Sequence, residues 1–91
     1  MVFQHEPERI FALGPNGQLI AEVTFPVSCG TAVIDHTYVD SSFRGRGIAG
    51  KLLSAAVEQI RSNGLKAHPA CSFAVKWFAE HPEYSDLLSA P

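Results

Sequence analysis

At residue 43 the apolar pattern of this chain changes period, and the change is made across nine residues, F-R-G-R-G-I-A-G-K, from Phe43 to Lys51. Upstream, Leu19, Ala21, Val23 and Phe25 alternate along the chain, the period of a strand with one buried face. Downstream, Ala49, Leu52, Leu53, Ala56, Val57 and Ile60 recur at helical spacing, with Lys51, Glu58 and Arg61 turned outward. The join holds three glycines and three cations. Glycine lets the backbone turn its N–H groups inward, and the helix that follows offers unpaired N–H groups and the positive end of its dipole. The segment therefore reads as an anion cradle, built for a molecule that carries phosphate.

The rest of the chain supplies the frame. Arg9 to Leu13 reads as a short strand, and Gly14-Pro15-Asn16-Gly17 as the turn of a hairpin, since Asn-Gly tolerates positive φ. Leu19 to Phe25 is its partner strand, Pro26 to Gly30 a second turn, and Thr31 to Val39 a third strand rich in β-branched residues. Asn63-Gly64 closes the helix with a left-handed cap. Leu65 to His68 is a short strand ended by Pro69. Ser72 is placed to cap a second helix with apolar positions Phe73, Ala74, Trp77 and Phe78, stopped by His81-Pro82. The order is β-β-β-α-β-α. The fold class is α/β with a mixed (α+β) sheet: an antiparallel meander plus one strand that returns parallel to the third after a helical crossover.

Ninety-one residues, 46% hydrophobic and 18% charged, make one globular domain over 1–91, its core at about 8–88. A net charge of −2 argues against nucleic acid as a partner. The first residues have neither the basic nor the apolar region of a secretory signal, and no apolar run nears the ~20 residues that span a bilayer. The expectation is a cytoplasmic chain with no membrane partner and two free thiols, Cys29 and Cys71. The histidines are scattered, so no metal site is expected.

Three motif patterns fit the join. Gly45-x-Gly47-x-x-Gly50 satisfies a dinucleotide fingerprint, but a meander precedes it and residues 66–74 hold no acidic partner for a ribose. Gly45-x-x-x-x-Gly50-Lys51 satisfies most of a P-loop, but Leu52 stands where the magnesium-binding hydroxyl belongs. The third is Arg44-x-x-Gly47-x-Ala49, which resembles the [QR]-x-x-G-x-[GA] signature of the GNAT superfamily of N-acetyltransferases. The resemblance extends to Ile34-Asp35-His36-Thr37-Tyr38-Val39, Pro69-x-Cys71-Ser72-Phe73 and His81-Pro82-Glu83-Tyr84, and so covers nearly the whole chain. The chain looks like the short, single-domain branch of that superfamily.

The resemblance implies a GNAT-like fold with acetyl-CoA as cosubstrate and an amine of unknown identity, small molecule or peptide, as acceptor. It implies that the backbone from Arg44 through Gly45, Arg46, Gly47 and Ile48 to Ala49 binds the pyrophosphate, with Gly50 in the same carrier-binding loop and Arg46 and Lys51 adding charge at the rim. Gly45 and Gly47 would allow a close approach that a Cβ blocks. The pantetheine arm would lie along the end of the third strand, by Tyr38 and Val39, pairing like an extra strand. Many relatives carry N-x-x-A-x-x-x-Y on the last helix, whose tyrosine protonates the leaving thiolate. Here the matching positions are Cys71, Ala74 and Phe78.

That substitution moves attention to Cys71. It precedes a helix N-terminus, a position that favours a thiolate, and could accept the acetyl group or donate to the leaving sulfur. His36 is the second candidate, because imidazole titrates near neutrality and suits a general base. If the third strand alternates, His36 shares a face with Ile34 and Tyr38, away from Asp35. Glu22 and Tyr84 are weaker candidates. Two other readings compete with an enzyme: a module that binds or senses acyl-CoA without turnover, and an interaction protein on the same fold. A chain this small leaves sheet edges to cover, so monomer and homodimer are both open.

Overall fold

A computed structural model of the chain describes residues 1–89. Seven strands and two helices follow in the order β1 (Gln4–Glu6), β2 (Arg9–Leu13), β3 (Leu19–Thr24), β4 (Val27–Ser28), β5 (Thr31–Ile34), β6 (His36–Val39), α1 (Ile48–Ser62), β7 (Lys66–Pro69) and α2 (Ser72–Glu80), with 3-10 turns at Ser41–Phe43 and Pro82–Leu87. One antiparallel sheet runs β1-β2-β3-β6 and a second runs β4-β5-β7, in which β7 lies parallel to β5. The meander and the parallel crossover strand are as the sequence predicts. The short strand β1 is an addition, since Gln4–Glu6 carries no apolar residue to signal it.

The hairpin β2–β3 departs from plain alternation in one place. Ala12 pairs with Ala21 but Leu13 pairs with Leu19, so Ile20 is unopposed and forms a bulge. The bulge resets the pleat. Ile20 is buried beside Ala21, Val23 and Phe25, while Leu19, expected on that face, is only half-buried. The next turn, Cys29-Gly30, has φ of 52° and 78°, the pair of positive angles that joins two strands with a right-handed twist.

Thr31 to Val39 is not one strand. It breaks at Asp35, and its halves belong to different sheets. β5 pairs with β7 up to Ile34↔Pro69, whereas β6 pairs with β3 from Thr24↔His36 to Ala21↔Val39. Thr24 holds the break from the β3 side: its carbonyl accepts from the Asp35 N–H at 3.3 Å, and its hydroxyl donates to Asp35 Oδ1 at 2.5 Å. On the other side the Ile34 carbonyl accepts from the N–H groups of Ala70 and Cys71, at 2.9 and 3.1 Å. Beyond this point β6 and β7 diverge and leave a cleft.

Helix α1 crosses behind the cleft. Ile48, Leu52, Leu53, Ala56, Val57 and Ile60 are its buried face. Ile48 takes the inward place expected of Ala49, which is half-buried at the edge of the cleft. The helix ends in a Schellman motif: Gly64 N–H donates to the Arg61 carbonyl and Leu65 N–H to that of Ile60, both at 3.0 Å. Helix α2 buries Ala74, Trp77 and Phe78, and one apolar cluster joins it to α1 and both sheets. Its cap is Cys71, not Ser72. Cys71 has extended backbone angles and its sulfur accepts from the Ala74 N–H at 3.4 Å, so the helix begins at Ser72, one residue earlier than a Ser72 cap would place it.

Candidate acyl-carrier cleft

Three elements meet around a cavity of about 400 Å³: β6 through Thr37, Tyr38 and Val39, the join and first turn of α1 through Phe43 to Gly50, and α2 through Phe73. Of the positions expected to hold the carrier, Tyr38, Val39, Arg44, Gly45, Gly47, Ile48, Ala49 and Gly50 line this one space. Arg46 and Lys51 do not. The Arg46 guanidinium sits 5.2 Å from the ring centroid of Phe43, and both cations are exposed.

The β6 wall offers an unused strand edge. Asp40 N–H donates to the Ile20 carbonyl at 2.7 Å, on the β3 side. Alternation then directs the backbone groups of Thr37 and Val39 to the opposite side, toward the cleft. The Val39 carbonyl accepts from Arg44 Nε at 3.1 Å, which ties the start of the join to the end of the strand.

The α1 wall offers N–H groups. Gly47 is the cap, at φ 73°, with no side chain to accept a hydrogen bond, and no acidic residue lies in the first turn. The first backbone bond of the helix is Lys51 N–H to the Gly47 carbonyl at 3.1 Å, so the N–H groups of Ile48, Ala49 and Gly50 precede the intrahelical ladder. Within the protein itself the loop glycines answer to backbone angle and not to packing. A Cβ on Gly45 or Gly47 would meet no protein atom within 4 Å, so nothing in the fold crowds them. They are required because their φ values, 79° and 73°, are left-handed. Gly50 is helical with open space beside it.

The expected chemical residues fall on different sides. Cys71 is half-buried at the closed end of the cleft, with Sγ 3.9 Å from the Thr37 hydroxyl, though it is not itself on the cavity wall. His36 is exposed on the other face of β6, with Nε2 3.5 Å from Glu22 Oε1. The break at Asp35 separates His36 from the buried Ile34, so the expected shared face does not form. Glu22 also accepts from Arg9 Nε at 2.5 Å, and this hydrogen bond, more than the neighbouring charge, holds the Arg9 pKa above its ordinary value. Tyr84 is occupied elsewhere, donating to Glu58 Oε2 at 2.9 Å. Phe78, at the position of the family's tyrosine, is buried. Among the described residues no group of His, Cys, Asp and Glu could hold a metal, and no helix is long and apolar enough to cross a membrane. Three wall residues escaped the sequence reading: Thr37, Phe43 and Phe73. Each lies inside a motif, but apolar or hydroxylic type alone does not mark a wall.

Comparison with known proteins accords with this geometry. The family model described as GCN5-related N-acetyl-transferase matches residues 10–87. Protein NATD1 of Xenopus tropicalis is 42% identical over 52 residues, 57% of this chain; the alignment spans about half, 48%, of that relative's length. The solution structure of a GCN5-like protein of Staphylococcus aureus superposes with a TM-score of 0.79 at 30% identity, covering 99% of this chain and 89% of that one. The fold recurs in the Escherichia coli GNAT protein YhbS, solved in complex with CoA, with a TM-score of 0.59 at 20% identity over 67% of this chain and 38% of that one. A match over residues 10–87, on a mixed α/β fold of this topology, places the chain in the GCN5-related N-acetyltransferase family.

Proposed function

We propose that the cleft binds acetyl-CoA and that the chain transfers the acetyl group to an amine. The observation that carries this reading is the meeting, in one cavity, of an unpaired strand edge and an uncapped helix N-terminus. A pyrophosphate needs several N–H donors and positive potential, which the backbone of Gly45 to Gly50 supplies, with Arg44, Arg46 and Lys51 nearby. The amide-bearing pantetheine arm needs an extended partner, which Thr37 and Val39 supply. The CoA held by YhbS on the same fold supports the choice of carrier.

The arm's direction brings the thioester toward Thr37 and Cys71. In this reading the Cys71 sulfur attacks the thioester carbonyl, the carbonyl–sulfur bond to CoA breaks, and the proton lost by Cys71 leaves on the CoA thiol. The acceptor amine then attacks the acetyl-cysteine, restoring the thiol. His36, exposed and paired with Glu22, takes the extra proton of an ammonium acceptor before it attacks, and the proton shed on amide formation goes to the Cys71 sulfur. In the variant without a covalent step, the Cys71 thiol donates its proton directly to the departing sulfur. Either role replaces the hydroxyl absent at Phe78.

Intact-mass measurement with acetyl-CoA, and thiol release across a panel of amines, test the reading. Release that depends on the amine and is lost in Cys71→Ser is expected. No adduct in the wild type, with undiminished turnover in Cys71→Ser, would remove Cys71 from the chemistry. The buried phenylalanine at position 78 favours one second reading, a carrier-binding module without turnover. Saturable CoA binding with no amine-dependent release would establish that instead. The chain acts as one domain over 1–91 in both readings.

A further inference from the structure

A cleft between diverging strands has a closed end, and here that end is made by particular groups. The Ile34 carbonyl takes both the Ala70 and Cys71 N–H groups, tying the start of α2 to the last residue of β5. Beside that knot the Thr37 hydroxyl lies 3.9 Å from the Cys71 sulfur. Phe73, two residues farther on, is the α2 residue on the cavity wall, half-buried and packed against the main apolar cluster. The opposite end of the cavity is the glycine loop, where the backbone is open. A carrier whose phosphates rest on that loop points its acyl group at the closed end.

Resting on the acyl-CoA reading above, we propose that Phe73 sets the length of the acyl chain the cleft admits. Its ring is the end wall. Acetyl and propionyl groups stop short of it, and longer chains meet it. The backbone knot at Ile34 keeps the first turn of α2 from swinging away, so an added methylene must displace an aromatic ring that is already packed. Overpacking of this kind is unfavourable. An open apolar groove would behave in the opposite way, gaining affinity roughly fourfold for each methylene it buries. The sign of the chain-length dependence therefore decides the matter.

The test is calorimetric titration of the whole chain with CoA and with acetyl-, propionyl-, butyryl- and hexanoyl-CoA, for wild type, Phe73→Leu and Phe73→Ala. The wild type is expected to bind the two shortest acyl forms about equally and hexanoyl-CoA roughly tenfold more weakly or worse. Phe73→Ala should bind hexanoyl-CoA at least as well as acetyl-CoA, with Phe73→Leu between the two. Free CoA, which puts no acyl group against the wall, is the reference for each variant, and every acyl form is read as a ratio to it. A wild type that prefers hexanoyl-CoA, or a length preference unchanged in both variants, would overturn the proposal. Should Phe73→Ala fail to fold, the wild-type series and Phe73→Leu still decide it. Failure of every ligand, CoA included, would instead overturn the carrier reading on which it rests.

Discussion

Gly50 is a position at which binding separates from stability. It stands in the first turn of α1, where a methyl group meets no protein atom within 4 Å, yet it lines the cleft. Glycine inside a helix costs about 0.5–1 kcal/mol relative to alanine. Gly50→Ala should therefore leave the protein as stable or slightly more so by thermal melting, while weakening CoA binding because the methyl occupies the carrier's space. Gly47→Ala should lose both, since φ 73° costs an L-residue about 1–2 kcal/mol. Cys71 allows a similar separation. Serine is a better cap than a thiol, so Cys71→Ser should keep or raise the melting temperature while turnover falls. A matched fall in both would mean that Cys71 only starts a helix. The glycines and cations of the join were legible because their types are rare together. Thr37 and Phe73 were not, because threonine in a strand and phenylalanine in a helix are what packing alone would choose.

The elements were largely legible from period, and the failures have local causes. Thr31 to Val39 reads as one strand because it is rich in β-branched residues and holds no glycine or proline to interrupt it. Nothing in that pattern says that the pairing partner changes at Asp35, since the change is made by β3 and β7, distant in sequence. The cleft exists because of that exchange. The bulge at Ile20 was hidden for the same reason: a one-residue slip between strands leaves no mark on either strand alone. A further tie joins elements across the back of the molecule. Tyr84, in the turn after α2, donates its hydroxyl to Glu58 on α1, and this hydrogen bond, with partial burial and the nearby carboxylate charge, raises the phenol pKa above its usual value. A raised folded-state pKa means stability present below the unfolded value, about 10, and lost as pH climbs through the folded one. The melting temperature of the wild type should accordingly fall more steeply above pH 10 than that of Tyr84→Phe. Parallel curves would show that the bond contributes nothing.

At the scale of the molecule, one apolar cluster supports both sheets and both helices, so damage to its centre should be felt everywhere. Leu53 is fully buried there, and Leu53→Ala should cost about 3 kcal/mol, a large part of the stability of a chain this size, measured by denaturant titration. The net charge of −2 gives no general attraction for a polyanion, so affinity must come from the few cations at the join. Raising the salt concentration should weaken CoA binding severalfold, and Arg44→Ala should flatten that dependence. The central claim is that a CoA carrier lies between the free edge of β6 and the uncapped start of α1. Amide chemical shifts followed by NMR during titration with CoA test it directly. The account predicts saturable changes concentrated at Thr37, Val39 and Gly45 to Lys51. Saturable changes confined to other surfaces, such as His5 and the outer side of α1, or none at all, would contradict it.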